Sequence, residues 1–452
     1  MSGNDIFYNL QELLGTARQA TDVPGAVAAV YHKGEIYQAA AGVVNFRTGV
    51  AVTQDSVFQI GSVTKSLTAT LVMMLVEEGK LDLEAPVTKY LDHFNLAQKE
   101  KTALITLRHL LSHTSGIDGD LIADTGRGED CLEKFIRLLD GVNLLHEPGE
   151  FFSYCNVGYI ILGRIIELVE GAPFDKVLKE RLLVPLGLDH AVMFAEEALF
   201  FNTAIGHVMG PRGLDHAETA FAPRSNAPSG TVLGMSARDL LMFARFHMNK
   251  GVTAKGKRLV QEKTIAEMQK PQVRIPLSGR YTSWGLGWMQ YYWDGADMTG
   301  HDGGWMGMSA YLRFSPRHDF AAVLLANGPG ALQLYRAVME PFLLAGAGFR
   351  APALPAAPDQ KNFDLSRYCG RYVRHGQSID ITLQGSRLKA CLGGEYMDGA
   401  TMEFDVNLIE HNRASCSFDG IPMPVSGYFP GFSGKGRPAY FHVTERAFRR
   451  RD

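Results

Sequence analysis

Runs of strand-forming residues stand at both ends of a long helical stretch, and this order narrows the folds open to the chain. Residues 26–32 and 35–40 flank Lys33-Gly34, the pattern of two strands joined by a tight turn. The pattern returns far downstream, where residues 308–314 and 320–327 are joined by Ser315-Pro316-Arg317-His318-Asp319. Between these pairs the sequence reads as helix. The run from Ser62 to Val76 is largely apolar and closes on Glu77-Glu78-Gly79, a helix-end signal. Asn156–Glu170 reads as a helix ended by Gly171, and Ser236-Ala237-Arg238-Asp239 is a capping box ahead of residues 240–244. The order predicts an α+β fold in which distant parts of the chain build one antiparallel sheet flanked by helices.

From Ala345 the composition changes. Ala345-Gly346-Ala347-Gly348 leads into Pro352, Pro355 and Pro358 among alanines, which predicts a moderately stiff linker. Short alternating runs follow at 378–383, 387–392, 402–406 and 439–443, separated by turn residues. They predict a small all-β barrel or sandwich. The expected organisation is an α+β domain over 1–345, a Pro/Ala linker over 346–360 and a β domain over 361–452.

Composition excludes several functions. The net charge is −3, and the basic cluster Arg449-Arg450-Arg451 is a chain end, so nucleic acid is not an expected partner. The densest apolar stretch, 67–76, is too short to span a bilayer. The segment Met1–Ile6 carries no basic run followed by an apolar one, so no membrane contact and a cytoplasmic location are expected. Five cysteines, Cys131, Cys155, Cys369, Cys391 and Cys416, are odd in number and widely spaced, unlike a disulfide framework or a zinc site. His109 and His113 lie at i and i+4 but lack a third ligand, so neither metal nor cofactor is expected.

Three short motifs carry the chemistry. In Ser62-Val63-Thr64-Lys65 the serine falls in the first turn of the apolar helix and the lysine three positions on. Their Cβ atoms are then about 5–6 Å apart on one face. A serine hydroxyl becomes a nucleophile when a nearby base takes its proton, and burial lowers a lysine pKa enough to supply that base. The helix N-terminus favours an oxyanion there. Alone, a serine at a helix start is most often a cap. Tyr154-Cys155-Asn156 sits at a loop–helix junction. A phenol beside a lysine ammonium is expected to shift toward phenolate and act as a base, and the Asn156 carboxamide to orient a substrate amide or the lysine. The plainer alternative is a buried tyrosine and an N-capping asparagine. Cys155 between them reads as a small buried filler or a reactive thiol. Gly300-His301-Asp302-Gly303-Gly304 precedes the strand at 308, where glycines let backbone approach a ligand. Backbone N–H groups there, with that of Ser62, make a candidate oxyanion hole. His301 is expected to bond the tyrosine or bind an acidic substrate group, against the alternative of a glycine-rich turn with a surface histidine.

In this order the three motifs resemble the serine β-lactamase and penicillin-binding protein superfamily. Residues 105–117, Pro185-Leu186-Gly187-Leu188, Ser229-Gly230-Thr231 and Trp284-Gly285-Leu286-Gly287-Trp288 extend the resemblance over about 23–344. Tyr-x-Asn places it nearest class C β-lactamases, DD-peptidases, esterases and D-aminopeptidases. The resemblance implies Ser62 as the acylated nucleophile, Lys65 and Tyr154 as the general-base pair, and Asn156 as a contact to substrate and lysine. It implies an oxyanion hole from the N–H groups of Ser62 and Gly304, with Gly303 beside substrate. His301 stands where class C β-lactamases carry lysine, so antibiotic resistance is not the expected task. The segment with 368–372 and 441–446 resembles a lipocalin-like barrel found on several such enzymes, and Arg446 from it is expected to hold a carboxylate. The leading expectation is a serine hydrolase or acyltransferase acting on D-configured amides, esters or peptides. A second is a thioesterase of penicillin-binding-protein type that releases and macrocyclises a nonribosomal peptide from a carrier protein. A third is a non-catalytic sensor or binding module. The expected partner is a small-molecule or peptide substrate, free or carrier-borne.

Overall fold

Strands from the two ends of the first 330 residues meet in the middle of one sheet. The computed structural model describes residues 5–276, 281–293, 295–352, 356–397, 400–418 and 425–451. The sheet comprises β1 (Gly25–His32), β2 (Glu35–Gly42), β3 (Val273–Arg274), β4 (Ser283–Trp284), β5 (Met289–Trp293), β6 (Ala296–Trp305), β7 (Met308–Ser315) and β8 (Phe320–Ala326). Its antiparallel order is β2-β1-β8-β7-β6-β5-β4-β3. β1 and β8 pair from Ala26↔Ala326 to His32↔Phe320. Every residue of β8 is buried, which explains its unbroken apolar sequence: a strand covered on both faces does not alternate. Val27, Ala29, Val323 and Leu325 face one core, while Ala28, Val30, Ala322 and Leu324 face another. The second core is completed by α1 (Leu10–Gln19) and α5 (Ala331–Ala347).

The first core is built on three helices. α2 (Thr64–Glu77) is buried all round through Leu75, as a helix with no polar face must be. α3 (Asn156–Glu170) ends at Gly171 with φ 67°, a left-handed stop that favours glycine. In α4 (Ala237–Met248) only half of the expected capping box forms. Ser236 accepts the Asp239 N–H at 3.1 Å, but the Asp239 carboxylate turns to the His190 N–H at 2.6 Å. Among the described residues no helix is long and apolar enough to cross a membrane.

The last ninety residues close a separate antiparallel barrel, resolving the expected barrel-or-sandwich. Its strands are β9 (Gly370–Arg374), β10 (Gln377–Gln384), β11 (Arg387–Gly393), β12 (Met402–Glu410), β13 (Arg413–Phe418), β14 (Val425–Tyr428), β15 (Tyr440–Val443) and β16 (Arg446–Arg451), with β16 pairing back to β9. Alternate residues such as Ile379, Ile381, Phe404, Val406 and Leu408 point inward and fill it. The expected linker begins later than its composition suggests: α5 continues through Ala347 and is stopped by Gly348 at φ 65°. Residues 353–355 of that stretch, Pro355 among them, lie outside the described residues.

Candidate active site

Ser62 lies in a 3-10 turn, Gly61–Val63, just ahead of α2 rather than inside it. Neighbouring backbone presses on that turn. A Cβ on Gly61 (φ +52°) would lie 2.5 Å from the Gly304 nitrogen, and one on Gly230 would lie 2.3 Å from the Gly61 carbonyl oxygen. One on Gly303 would meet the Ile60 carbonyl oxygen at 1.9 Å. Only glycine fits at such approaches.

Lys65, in the first turn of α2, donates to Ser62 Oγ at 3.1 Å and to the Ser229 carbonyl. It is fully buried and makes no ion pair among the described residues. Burial lowers its pKa to about 7, the Arg446 charge adds to the drop, and Asp120 opposes it. Near neutral pH a large fraction of this amine is therefore unprotonated and able to accept a proton.

Tyr154 ends an extended segment leading into α3. Cys155, not Asn156, caps that helix: its sulfur accepts the Gly158 N–H at 3.3 Å, and Asn156 is the first helical residue. The burial that suits Cys155 to this task pushes its thiol up to about 12, so it is inert as a nucleophile. The Tyr154 ring stacks on His113 at 4.2 Å and meets the edge of Trp284 at 5.7 Å. Lys65 Nζ is 4.9 Å from its centroid and the Arg446 guanidinium carbon 5.0 Å. The expected drift toward phenolate does not occur. Burial drives the phenol far above its ordinary pKa, and neither the Ser62 hydroxyl nor Arg446 offsets it. Tyr154 is a neutral proton donor here.

β6 brings Asp302, Gly303 and Gly304 to the cavity wall but turns His301 inward. The His301 ring is fully buried, meets Trp284 at 5.3 Å, and has Nδ1 2.6 Å from the Asp302 carbonyl oxygen. Its Nε2 has no hydrogen-bond partner among the described residues. Burial lowers its pKa to about 3, so the ring is neutral. Neither a surface histidine nor a cationic anchor for an acidic group describes it. Asp302 pairs at 2.6 Å with the buried Arg313 on β7.

The barrel supplies the roof. The turn between β15 and β16, Thr444-Glu445, has both residues at positive φ, 51° and 69°. The turn and the strands β14 and β16 hold the tyrosine segment at three points. The Glu445 carbonyl accepts the Tyr154 N–H at 2.9 Å, Ala447 N–H donates to Ser153 Oγ at 3.2 Å, and Tyr428 donates to the Phe152 carbonyl at 3.2 Å. Next to this contact, Asp120 accepts from Arg446, from Arg374 at 2.7 Å and from Asn156 Nδ2 at 2.9 Å. Burial alone would raise the Asp120 pKa, but the two guanidiniums hold it well below the carboxylate range. Asp118 accepts the His375 N–H of the barrel at 2.6 Å.

These elements line an open cleft of about 240 Å³ formed by Ser62, Tyr154, Met289, Asp302, Gly303, Gly304, Tyr311, Glu445 and Arg446. At ~30 Å³ per water it holds roughly eight waters, the scale of one amino-acid-sized group. Of the residues expected from sequence, Ser62, Tyr154, Gly303, Gly304 and Arg446 line it, and Lys65 lies buried directly behind Ser62. Asn156 stands one layer back on Asp120, and His301 lies behind the wall. Asp120, Arg374, Asp302 and Glu445 were not singled out as site residues, and nothing local in their sequence marks them. His109 and His113 part ways: His109 Nδ1 accepts the Thr106 N–H at 3.2 Å in a helix cap, whereas His113 Nδ1 accepts the Cys155 N–H at 3.0 Å. Among the described residues no three His, Cys, Asp or Glu side chains are grouped to hold a metal.

The chain is similar to known proteins in both sequence and fold. The sequence model of the β-lactamase family, described as "Beta-lactamase", matches residues 10–338. Penicillin-binding protein 4 of Amycolatopsis lactamdurans is 42% identical over 373 residues, 81% of this chain and 97% of that protein. The crystal structure of SurE with D-Leu superposes with a TM-score of 0.80 at 26% identity, over 99% of this chain and 100% of that one. The octameric penicillin-binding protein homologue from Pyrococcus abyssi shares the fold, with a TM-score of 0.65 at 23% identity over 98% of this chain and 99% of that one.

Proposed function

The chain belongs to the β-lactamase family, and from that premise we propose that it is a serine acyl-enzyme catalyst whose nucleophile is Ser62. One observation carries the reading: a hydroxyl 3.1 Å from a buried amine whose pKa is about 7, at the edge of a cavity shared with a neutral phenol. Unprotonated Lys65 takes the Ser62 proton, and Oγ attacks the carbonyl carbon of an amide or ester. The oxyanion faces the N–H groups of Ser62 and Gly304. Tyr154 passes a proton to the leaving nitrogen or oxygen and regains one from the Lys65 ammonium. Water then repeats the sequence on the acyl-enzyme and restores Ser62. Gly303 aligns the substrate backbone, Asn156 acts only through Asp120 behind the wall, and Arg446 meets a carboxylate or carbonyl from the roof.

The substrate we infer is an amide, ester or peptide that places one D-configured residue in the cavity. The D-configuration is supported by the likeness to SurE, whose structure holds D-Leu. A second reading is release of a carrier-bound peptide thioester with ring closure, the peptide's own amine replacing water. It is supported by the open side of the cleft, where Glu445 and Arg446 of the barrel border the space that a peptide's own amine would enter.

The test is intact-mass detection of a covalent adduct across D-amino esters, penicillins and peptidyl thioesters. An adduct on wild type that is lost in Ser62→Ala is expected. Turnover by Ser62→Ala at the wild-type rate overturns the assignment. A product of a linear peptide thioester that lacks one added water selects the cyclase reading.

A further inference from the structure

We propose that Asp120 is a positioning residue for the catalytic groups: one buried carboxylate seats the barrel, holds Arg446 against Tyr154 and turns Asn156. The proposal rests on the acyl-enzyme reading above. Asp120 lies in a segment without regular structure between Ile117 and Cys131. Its Oδ1 accepts from Asn156 Nδ2 at 2.9 Å and Arg446 Nη2 at 3.4 Å, and its Oδ2 from Arg374 at 2.7 Å and Arg446 Nε. Three elements therefore converge on one anion: the start of α3 and the paired barrel strands β9 and β16. The Asp120 side chain is 12% exposed, with Arg374 at 7% and Arg446 at 23%.

A network this buried is a poor choice if adhesion were its only task, because apolar packing of the same volume is often as stable or more so. What charge adds is direction. The guanidinium of Arg446 stands 5.0 Å from the Tyr154 ring centre, and the Tyr154 N–H is already tied to the preceding residue, Glu445. Displacing the barrel by an ångström would move Arg446, Tyr154 and Asn156 together.

The arrangement has an electrical signature. Lys65 faces Ser62, Tyr154, Tyr159, Cys155, His113, His301, Glu445, Asp120 and Arg446. Of these, Arg446 holds the Lys65 ammonium in disfavour and Asp120 favours it. Removing either changes the pH at which Lys65 becomes a base, in opposite directions. Lys65 Nζ and the Arg446 guanidinium carbon lie 4.9 and 5.0 Å from the same ring centre, and at an effective dielectric constant near 20 one charge within about 10 Å is worth roughly one pH unit.

The experiment follows the pH dependence of the Ser62 acylation rate in the full chain, by adduct mass, for Arg446→Met, Asp120→Asn and Arg374→Met. Arg446→Met is expected to move the acid limb up by about one pH unit, and Asp120→Asn to move it down while slowing acylation about tenfold or more. Arg374→Met, which touches Asp120 but not Tyr154, is expected to lower the melting temperature and leave the limb in place. If all three lower stability while every limb stays at the wild-type pH, Asp120 is a structural latch only and the proposal is overturned. Should Asp120→Asn fail to fold, an unmoved limb in Arg446→Met overturns it and a raised limb supports it. Absence of any wild-type Ser62 adduct defeats the acyl-enzyme reading itself, a result distinct from an adduct that forms with an immovable limb.

Discussion

Two cations flank the same cavity, Lys65 fully buried behind its floor and Arg446 partly exposed in its roof, and they respond to loss of water in opposite ways. Lys65 comes from α2, has no carboxylate in contact among the described residues, and drops to a pKa of about 7. Arg446 comes from the barrel, rests on Asp120, and is raised above its already high pKa because that partner outweighs burial. Burial therefore does not set the charge state of a side chain; the partner buried with it does. The chemistry of the two heads reinforces the split. An ammonium loses its proton readily when desolvated, whereas a guanidinium keeps its charge and makes two directed contacts. The floor is built to change protonation and the roof to keep it.

The sharpest way to break this contrast is to remove the unpaired cation. Lys65→Met is expected to slow Ser62 acylation by about 10³-fold or more, seen in single-turnover kinetics. The same substitution is expected to stabilise the fold at pH 7 by about 1–4 kcal/mol in denaturant titration. The sign follows from linkage. Between a folded pKa of about 7 and the unfolded 10.5, the unfolded chain holds a proton the folded chain lacks, so wild-type stability rises with pH across that window. The gain from Lys65→Met should therefore shrink as pH rises toward 10.5. A gain that does not depend on pH would show that Lys65 is charged in the fold.

Tyr154→Phe tests the group that lies between the two cations. It keeps the ring packed on His113 and Trp284 and removes only the phenolic proton. A loss of about 10²-fold in kcat with little change in KM is expected for a proton donor used in the transition state. An unchanged kcat would mean that Lys65 exchanges the proton with the leaving group directly. The smallest effect belongs to His301. Neutral and behind the cavity wall, it is expected to cost less than tenfold when replaced by alanine, with no displacement of the acid limb of kcat/KM. A displaced limb would place a charged His301 in the reaction.

The floor was legible in the sequence and the roof mostly was not, for a physical reason. Ser62 and Lys65 are three residues apart where a 3-10 turn runs into α2, so local helical geometry alone puts them together. Asn156–Glu170 carries its own stop in Gly171, and the strand runs at both ends of the region announced one shared antiparallel sheet, though not that β1 pairs with β8. Asp120 and Arg446 are 326 residues apart, and nothing near either one in sequence announces the other. Arg446 was reachable only through the resemblance of the last strands to a barrel, and Asp120 not at all. The phenol of Tyr154 was misjudged in sign because its surroundings decide it: a nearby cation lowers a pKa, but complete loss of water raised this one more. His301 was misplaced for the same reason, since a glycine-rich motif gives no measure of how deep its one large side chain will lie.

The turn that carries Ser62 is wedged between Gly230 and Gly303 with main chain against main chain. That leaves the reacting end of the cleft with no atoms to spare for variation: any side chain added there collides before it can discriminate. Selectivity in a chain of this design must be rewritten from the far side, where the side chain of Glu445 borders the cleft while the cradle beneath stays fixed. A laboratory seeking new acyl groups for this scaffold should randomise the lid and leave the anvil alone.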